Sequence, residues 1–332
     1  MRPVHSRLIP LLFFALATLP GLSQSTTFAP TLTFPQFAHS GPTHIIAYGD
    51  SRFTDPAVTT GTNPRVRAWL AAHIGEAHPQ VLLLTGDTPY TGAKASDWKD
   101  FHHESAPWRK AHILVLPTIG NHEIYGGIRR GIANYMAAFP QLAGHRYYSA
   151  LLGNVEVISL DCNLPASGSA AQVRWFAGQL DHLPAQVDFL LILYHTPWMN
   201  DRQTQVFLDL PSKDALQLRG ILEQRIPRIR ARVVVFNGHI HNYERFERSG
   251  AEFVVTGGGG AQPYPLLYRG KADLYRDPAF PVYHYVDIQI ANRQLHATMW
   301  KIADPEAANF TVEAKDQFTL TAPPPAKPPA TP

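Results

Sequence analysis

The sequence predicts an α/β fold built in layers, and two observations carry that reading. Short apolar, β-branched runs alternate along the chain with segments of helical period. Five of those runs end in a cluster of Asp, Asn and His. Strands are expected in THIIAYGDSR (43–52), QVLLLTGDTPY (80–90), HILVLPTIGNHE (112–123), VEVISLDCN (155–163), DFLLILYHTPW (188–198), ARVVVFNGHIH (231–241) and EFVVTGGGG (252–260), because each packs consecutive apolar residues before a polar turn. The stretch 283–302, YHYVDIQIANRQLHATMWKI, reads as a closing hairpin. Helices are expected between them, in 64–77, 96–109, 129–139, 170–183 and 215–226, where apolar positions recur at helical spacing.

Composition narrows the function classes. The chain has 332 residues, of which 45% are hydrophobic and 11% aromatic, enough for a large core. The net charge of +3 falls to +1 without Arg2 and Arg7, so neither a nucleic-acid-binding surface nor a polybasic membrane patch is expected. The single cysteine, Cys162, follows an apolar run and reads as a small buried hydrophobe.

The termini differ from the middle. Arg2 and Arg7 precede an apolar stretch from Leu8 to Leu22 that is broken by Pro10 and Pro20. Small residues follow, so 1–23 is expected to be a cleaved signal peptide of an exported, periplasmic or secreted protein rather than a membrane anchor. Residues 24–42 form a Pro- and Thr-rich lead, 43–321 one domain, and 322–332 a Pro-rich tail with little to bury.

The strand ends carry the chemistry. Asp50, Asp87, Asn121 with His122, His195, and His239 with His241 each stand just past an apolar run. In open α/β sheets, positions beyond the carboxyl ends of strands converge. Carboxylate and amide oxygens mixed with imidazole nitrogens suit first-row ions such as iron, zinc or manganese.

Those residues stand in GDSR (49–52), GDTPY (86–90), GNHE (120–123), YHTPW (194–198) and GHIH (238–241). In that order they resemble the calcineurin-like metallophosphoesterases, and with YER (243–245) and VVTGGGG (254–260) the purple acid phosphatase branch. The resemblance implies a four-layer α/β/β/α sandwich of two mixed sheets flanked by helices. It implies two metal ions, iron paired with zinc, manganese or a second iron. Asp87 would bridge them, Asp50, Tyr90 and His241 would hold the first, and Asn121, His195 and His239 the second. His122 would face the substrate and assist the leaving group. The implied reaction is hydrolysis of small-molecule phosphomonoesters by attack of a metal-bound hydroxide, with phosphodiester or nucleotide cleavage as the alternative.

Arg52 departs from the pattern. The branch has glycine there and most of the family histidine, and a guanidinium cannot ligate a cation although its fork suits a phosphate. Three roles stay open at this level: contact with phosphate, an outward pair with Asp55 or Glu123, or blockade of the first metal in a catalytically silent phosphate-binding protein. Among the other features, Gly257 to Gly260 read as a tight turn by the site, and His102 and His103 as surface residues. Arg225, Arg228, Arg230 and Arg232 read as a solvated helix end, and Tyr243 and Arg245 either as packing or as support for the site.

Overall fold

The computed structural model describes residues 31–201, 210–265, 269–277 and 279–324. The expected signal peptide, residues 24–30 of the lead and residues 325–332 of the tail lie outside them. The strands are β1 (Thr31–Thr33), β2 (His44–Tyr48), β3 (Val81–Leu84), β4 (Leu114–Pro117), β5 (Tyr148–Leu152), β6 (Val155–Leu160) and β7 (Phe189–Tyr194). They continue as β8 (Arg232–Asn237), β9 (Tyr243–Arg248), β10 (Ala251–Thr256), β11 (His284–Ala291), β12 (Gln294–Ile302) and β13 (Val312–Thr321). The helices are α1 (Pro64–Glu76), α2 (Ala95–Glu104), α3 (Ala106–Lys110), α4 (Asn121–Ile124), α5 (Ile128–Ala138), α6 (Ala166–Asp181) and α7 (Lys213–Arg225).

Two mixed sheets result. One has the order β1-β5-β6-β7-β8-β10-β9 and the other β13-β12-β11-β2-β3-β4. Within them β6, β7, β8 and β10 run parallel, as do β2, β3 and β4. Strands buried on both faces need no polar alternation, which is why "VLLL" and "FLLILY" read as unbroken apolar runs. Side chains of Leu191, Leu193, Val234 and Phe236 pack in one core with Ile45, Leu83, Val286 and the helices α1, α2 and α5. The opposite face of β6–β8 packs under α6 and α7 through Ile158, Ile192, Val235, Phe176 and Leu218. The molecule is therefore the four-layer sandwich that the motifs imply.

Three details differ from the sequence expectation. Residues 31–33, placed in the lead, form the parallel edge strand β1 beside β5, with Thr31 opposite Ser149. Residues 322–324, placed in the tail, are held by backbone contacts. Ala322 donates its N–H to the carbonyl of Arg293, and Arg230 donates to the carbonyls of Pro323 and Pro324. The helix expected over 96–109 is two helices, α2 and α3, meeting at Ser105 just before Pro107.

The basic cluster also has partners. Arg225 binds Asp181 through both Nε and Nη2, Arg230 lies 3.5 Å from Asp188, and Arg232 donates to the carbonyl of Thr321. His102 and His103 are exposed, as expected.

Candidate metal centre

Every strand-end residue singled out by sequence stands at the carboxyl end of a parallel strand, and the backbone there is unusual. Asp50, Arg52, Asp87 and His239 all have positive φ, at 57°, 50°, 52° and 70°. Such conformations are uncommon outside glycine and cluster where surrounding structure imposes them. Two glycines make room for the carboxylates. A Cβ on Gly238 would stand 2.4 Å from Asp50 Oδ2, and one on Gly120 would stand 2.3 Å from Asp87 Oδ1.

The side chains converge in two groups. In the first, Asn121 Oδ1 lies 3.0 Å from His195 Nε2 and 3.0 Å from His239 Nδ1, while His195 Nε2 is 3.2 Å from Asp87 Oδ1. In the second, both oxygens of Asp50 accept from the N–H of His239 at 3.0 Å, and Asp50 Oδ1 is 3.6 Å from His241 Nε2. Ligand atoms of Asp50, Asp87 and His195 all lie within 4.8 Å of one another, and the three residues are buried.

Orientation of the imidazoles suits a cation. His195 Nδ1 donates to the carbonyl of Thr85 at 2.8 Å and His241 Nδ1 to that of Gln262 at 2.8 Å. A histidine that spends one ring nitrogen on a carbonyl presents the other as a lone pair, the arrangement found behind metal ligands. His241 Nε2 is buried and has no hydrogen-bond partner, an expensive condition for a polar atom unless something else satisfies it. Burial also drives His241 well below the usual histidine pKa and His239 down to about 4, so both rings are neutral and able to ligate.

The two carboxylates respond oppositely. Burial, and then the charge of Asp87, push Asp50 well above the carboxylate range. Asp87 stays well below it because His195, His122 and Arg52 outweigh its burial. Arg52 is the cation that both acids feel, and added positive charge between them would favour ionisation of both. The donor set fits first-row ions.

His122 is arranged differently from the other imidazoles. Its Nδ1 donates to the carbonyl of Tyr90, its backbone N–H donates to Asp87 Oδ1 at 2.8 Å, and its Nε2 is 3.9 Å from Asp87 Oδ2. The ring is partly exposed and stands beside the donor groups rather than within them.

Arg52 takes neither of the outward pairs that its sequence context allows. Its Nη2 lies 3.4 Å from Asp87 Oδ2, and its Nε is buried without a hydrogen-bond partner. Burial opposes its charge, but Asp87, Tyr264 and Asp50 outweigh that and raise its pKa. Glu123 is otherwise engaged. It accepts from the N–H groups of Thr88, Asp87 and Gly120 at 2.8, 3.0 and 2.7 Å, stapling the β3 end to the start of α4. Tyr90 packs edge-on against His122, with ring centroids 5.6 Å apart. Among the described residues no hydrogen bond links its hydroxyl to Asp50, Asp87 or His241.

Sequence reasoning passed over several supports. Gln262 acts through its carbonyl, for which no side-chain signal exists. Tyr264 stacks on His241 at 4.1 Å between centroids and 24° between planes. Asn237 donates to the carbonyls of Tyr194 and Thr196, fixing the turn that carries His195. Gly257, by contrast, was read as part of a tight turn by the site, and it backs Asp50, where a Cβ would stand 3.1 Å from Oδ2.

A family model, Calcineurin-like phosphoesterase, matches residues 36–243. The chain belongs to the calcineurin-like phosphoesterase family. Among curated members, Purple acid phosphatase 21 of Arabidopsis thaliana is 24% identical over 279 residues, covering 76% of this chain and 57% of that protein. Purple acid phosphatase 22 of the same plant is 23% identical, covering 73% of this chain and 56% of its own length. The chain thus spans little more than half the length of these phosphoesterase relatives. Among solved structures, purple acid phosphatase PPD1 from yellow lupin seeds superposes with a TM-score of 0.63 at 17% identity, covering 85% of this chain and 54% of that one. A dimetal phosphatase from Danio rerio superposes with a TM-score of 0.56 at 13% identity, covering 85% of this chain and 99% of that one. At those identities the structural likeness concerns the fold.

Proposed function

We propose that the protein is a dinuclear metal-dependent phosphoesterase that hydrolyses phosphomonoesters. The observation that carries this reading is the convergence of Asn121, His195, His239 and Asp87 at 3.0–3.2 Å spacings beside Asp50 and the orphaned His241 Nε2. Asn121, His195 and His239 would hold one ion, Asp50 and His241 with Tyr90 the other, and Asp87 both. Bound there, such ions would grip phosphoryl oxygens and supply an activated water at neutral pH.

The chain's own groups supply the rest. Arg52 points a permanently charged fork into the same space and would orient the phosphoryl group. His122, whose Nδ1–H is held by the Tyr90 carbonyl, would carry a proton at Nε2 as the imidazolium, a form that burial opposes and that Asp87 and the Tyr90 carbonyl favour. The bond from phosphorus to the ester oxygen breaks as one to a water oxygen forms, and His122 delivers its proton to the departing oxygen while the water proton passes to solvent. Export rests on the sequence of residues 1–23. Among the described residues no helix is long and apolar enough to cross a membrane.

Asp87→Ala should remove bound metal and phosphatase activity together, whereas Glu76→Ala, at an exposed carboxylate on α1, should change neither. Metal analysis alongside turnover of a chromogenic phosphate ester checks both, and full activity without Asp87 overturns the two-metal reading. The 3.4 Å contact between Arg52 and Asp87 favours a second reading, in which the guanidinium excludes the first ion. One ion per chain in the wild type and two in Arg52→Gly would support it.

A further inference from the structure

Tyr125 is the most exposed large aromatic ring among the described residues, at 58%. Exposed rings are common on flexible loops, but this one is not on a loose backbone. Its N–H donates to the carbonyl of His122 at 3.2 Å, and its own carbonyl accepts from the N–H of Ala93 at 3.1 Å. The preceding Ile124 packs against the core. The following Gly126, at φ 80°, lies so close to Thr91 that a Cβ would stand 2.9 Å from its methyl. A segment fixed at both ends therefore turns a large apolar side chain outward. Ile128, at the start of α5, is equally exposed at 58%.

The location gives the ring a use. Its centroid lies 5.6 Å from that of His122, with 39° between the planes, and Tyr90 flanks His122 at 5.6 Å and 78°. A leaving oxygen that takes a proton from His122 must come within hydrogen-bond reach of Nε2. Whatever group that oxygen carries then emerges beside the exposed Tyr125 ring. Aromatic pairs attract at centroid separations of about 4.5–7 Å beyond what area burial provides, and a ring held in place loses little freedom on binding.

We propose that Tyr125 is a specificity-determining platform for the leaving group, and that the substrates are phosphate esters of aromatic alcohols. This rests on the phosphoesterase reading above and names its substrate class. Tyr125 touches the part of the substrate that departs, not the phosphoryl group, so its contribution is to binding and selection.

Non-hydrolysable phosphonates test it independently of turnover. Calorimetry of the zinc-loaded protein should show benzylphosphonate binding about three- to tenfold more tightly than propylphosphonate. Tyr125→Ala should abolish that preference while leaving propylphosphonate affinity unchanged, and Tyr125→Phe should keep it. The same pattern should appear in KM, not kcat, for benzyl against propyl phosphate, whose departing alcohols have similar basicity. Equal affinities in the wild type, or a preference that survives Tyr125→Ala, overturn the platform. Binding of inorganic phosphate with no binding of either phosphonate also overturns it. Failure to bind inorganic phosphate together with failure to hydrolyse any ester would instead bring down the phosphoesterase reading, and this inference with it.

Discussion

Under the proposed function, His122 would separate ligand from catalyst at the scale of a single residue. It follows Asn121, yet its Nδ1 is spent on the Tyr90 carbonyl and its Nε2 stands outside the 3.0–3.2 Å donor cluster. His122→Ala should therefore keep its metal content and lose turnover by about 10²–10⁴-fold, most severely for esters with poor leaving groups. An equal loss across leaving groups would argue against proton donation. Tyr90 poses a different test, because phenolate bound to ferric iron absorbs visible light and a free phenol does not. Colour on iron loading that disappears in Tyr90→Phe supports ligation, and a colourless iron-loaded protein rejects it. The strand-end acids and imidazoles were legible because such groups have no packing reason to follow an apolar run. Glu123 was legible as part of a motif but not in its role, since it binds only backbone N–H groups of Asp87, Thr88 and Gly120. The aim of Arg52 stayed open between phosphate, an outward pair and the first metal, because it depends on a positive φ that sequence does not announce.

Among the elements, the strands that escaped sequence reading share a position. β1, β9 and β13 are sheet edges and β5 lies next to one. An edge strand needs only partial burial and is protected from mispairing by charge, so "YERFER" and "VEAKDQFTLT" carry no apolar run to detect. The interior strands other than β5, and the edge strand β4 with its apolar LVLP run, were legible for the opposite reason, although one of them holds a liability. Glu156 on β6 is almost wholly buried, at 2% exposure, and its Oε2 has no hydrogen-bond partner. Burial lifts its pKa to about 7, with a Ser149 hydrogen bond pulling only partly back. The folded state thus holds a proton that the unfolded chain releases near the ordinary glutamate pKa of about 4.3. Its contribution to stability is complete below that value, is lost progressively as pH rises through about 7, and then levels off. Glu156→Gln should remove this loss, raising stability at pH 8 relative to pH 5 by up to about 3 kcal/mol against the wild type. Denaturant unfolding at the two pH values measures it, and an identical pH dependence in both proteins would show that Glu156 ionises without cost.

At the scale of the whole molecule, two separate sheets must be held in register for the strand ends to meet. Part of the connection is apolar and was anticipated from the composition. Another part is a polar clasp between edge strands, and it gives Tyr243 and Arg245 a role that their sequence context left open. The Tyr243 hydroxyl on β9 donates to Asp316 Oδ2 on β13 at 2.9 Å, and Arg245 grips the same carboxylate through Nε at 2.6 Å and Nη2 at 3.2 Å. The guanidinium also lies 5.3 Å from the centre of the Phe318 ring. The Arg245 and Asp316 side chains are only 12% and 11% exposed, which sets this pair apart from the screened ion pairs of a surface. Asp316→Leu leaves a mostly buried cation with Glu252 as its remaining carboxylate, 3.3 Å from Nη1, and an unanswered phenol beside it. The expected cost is about 2–4 kcal/mol of unfolding free energy. Removing both charges in Arg245→Met with Asp316→Leu should recover much of that loss, because apolar replacement of a buried pair is far less damaging than orphaning one partner. A single-variant loss below about 0.5 kcal/mol would place Asp316 with ordinary surface pairs, and the registration of the two sheets would then fall to the shared apolar core alone.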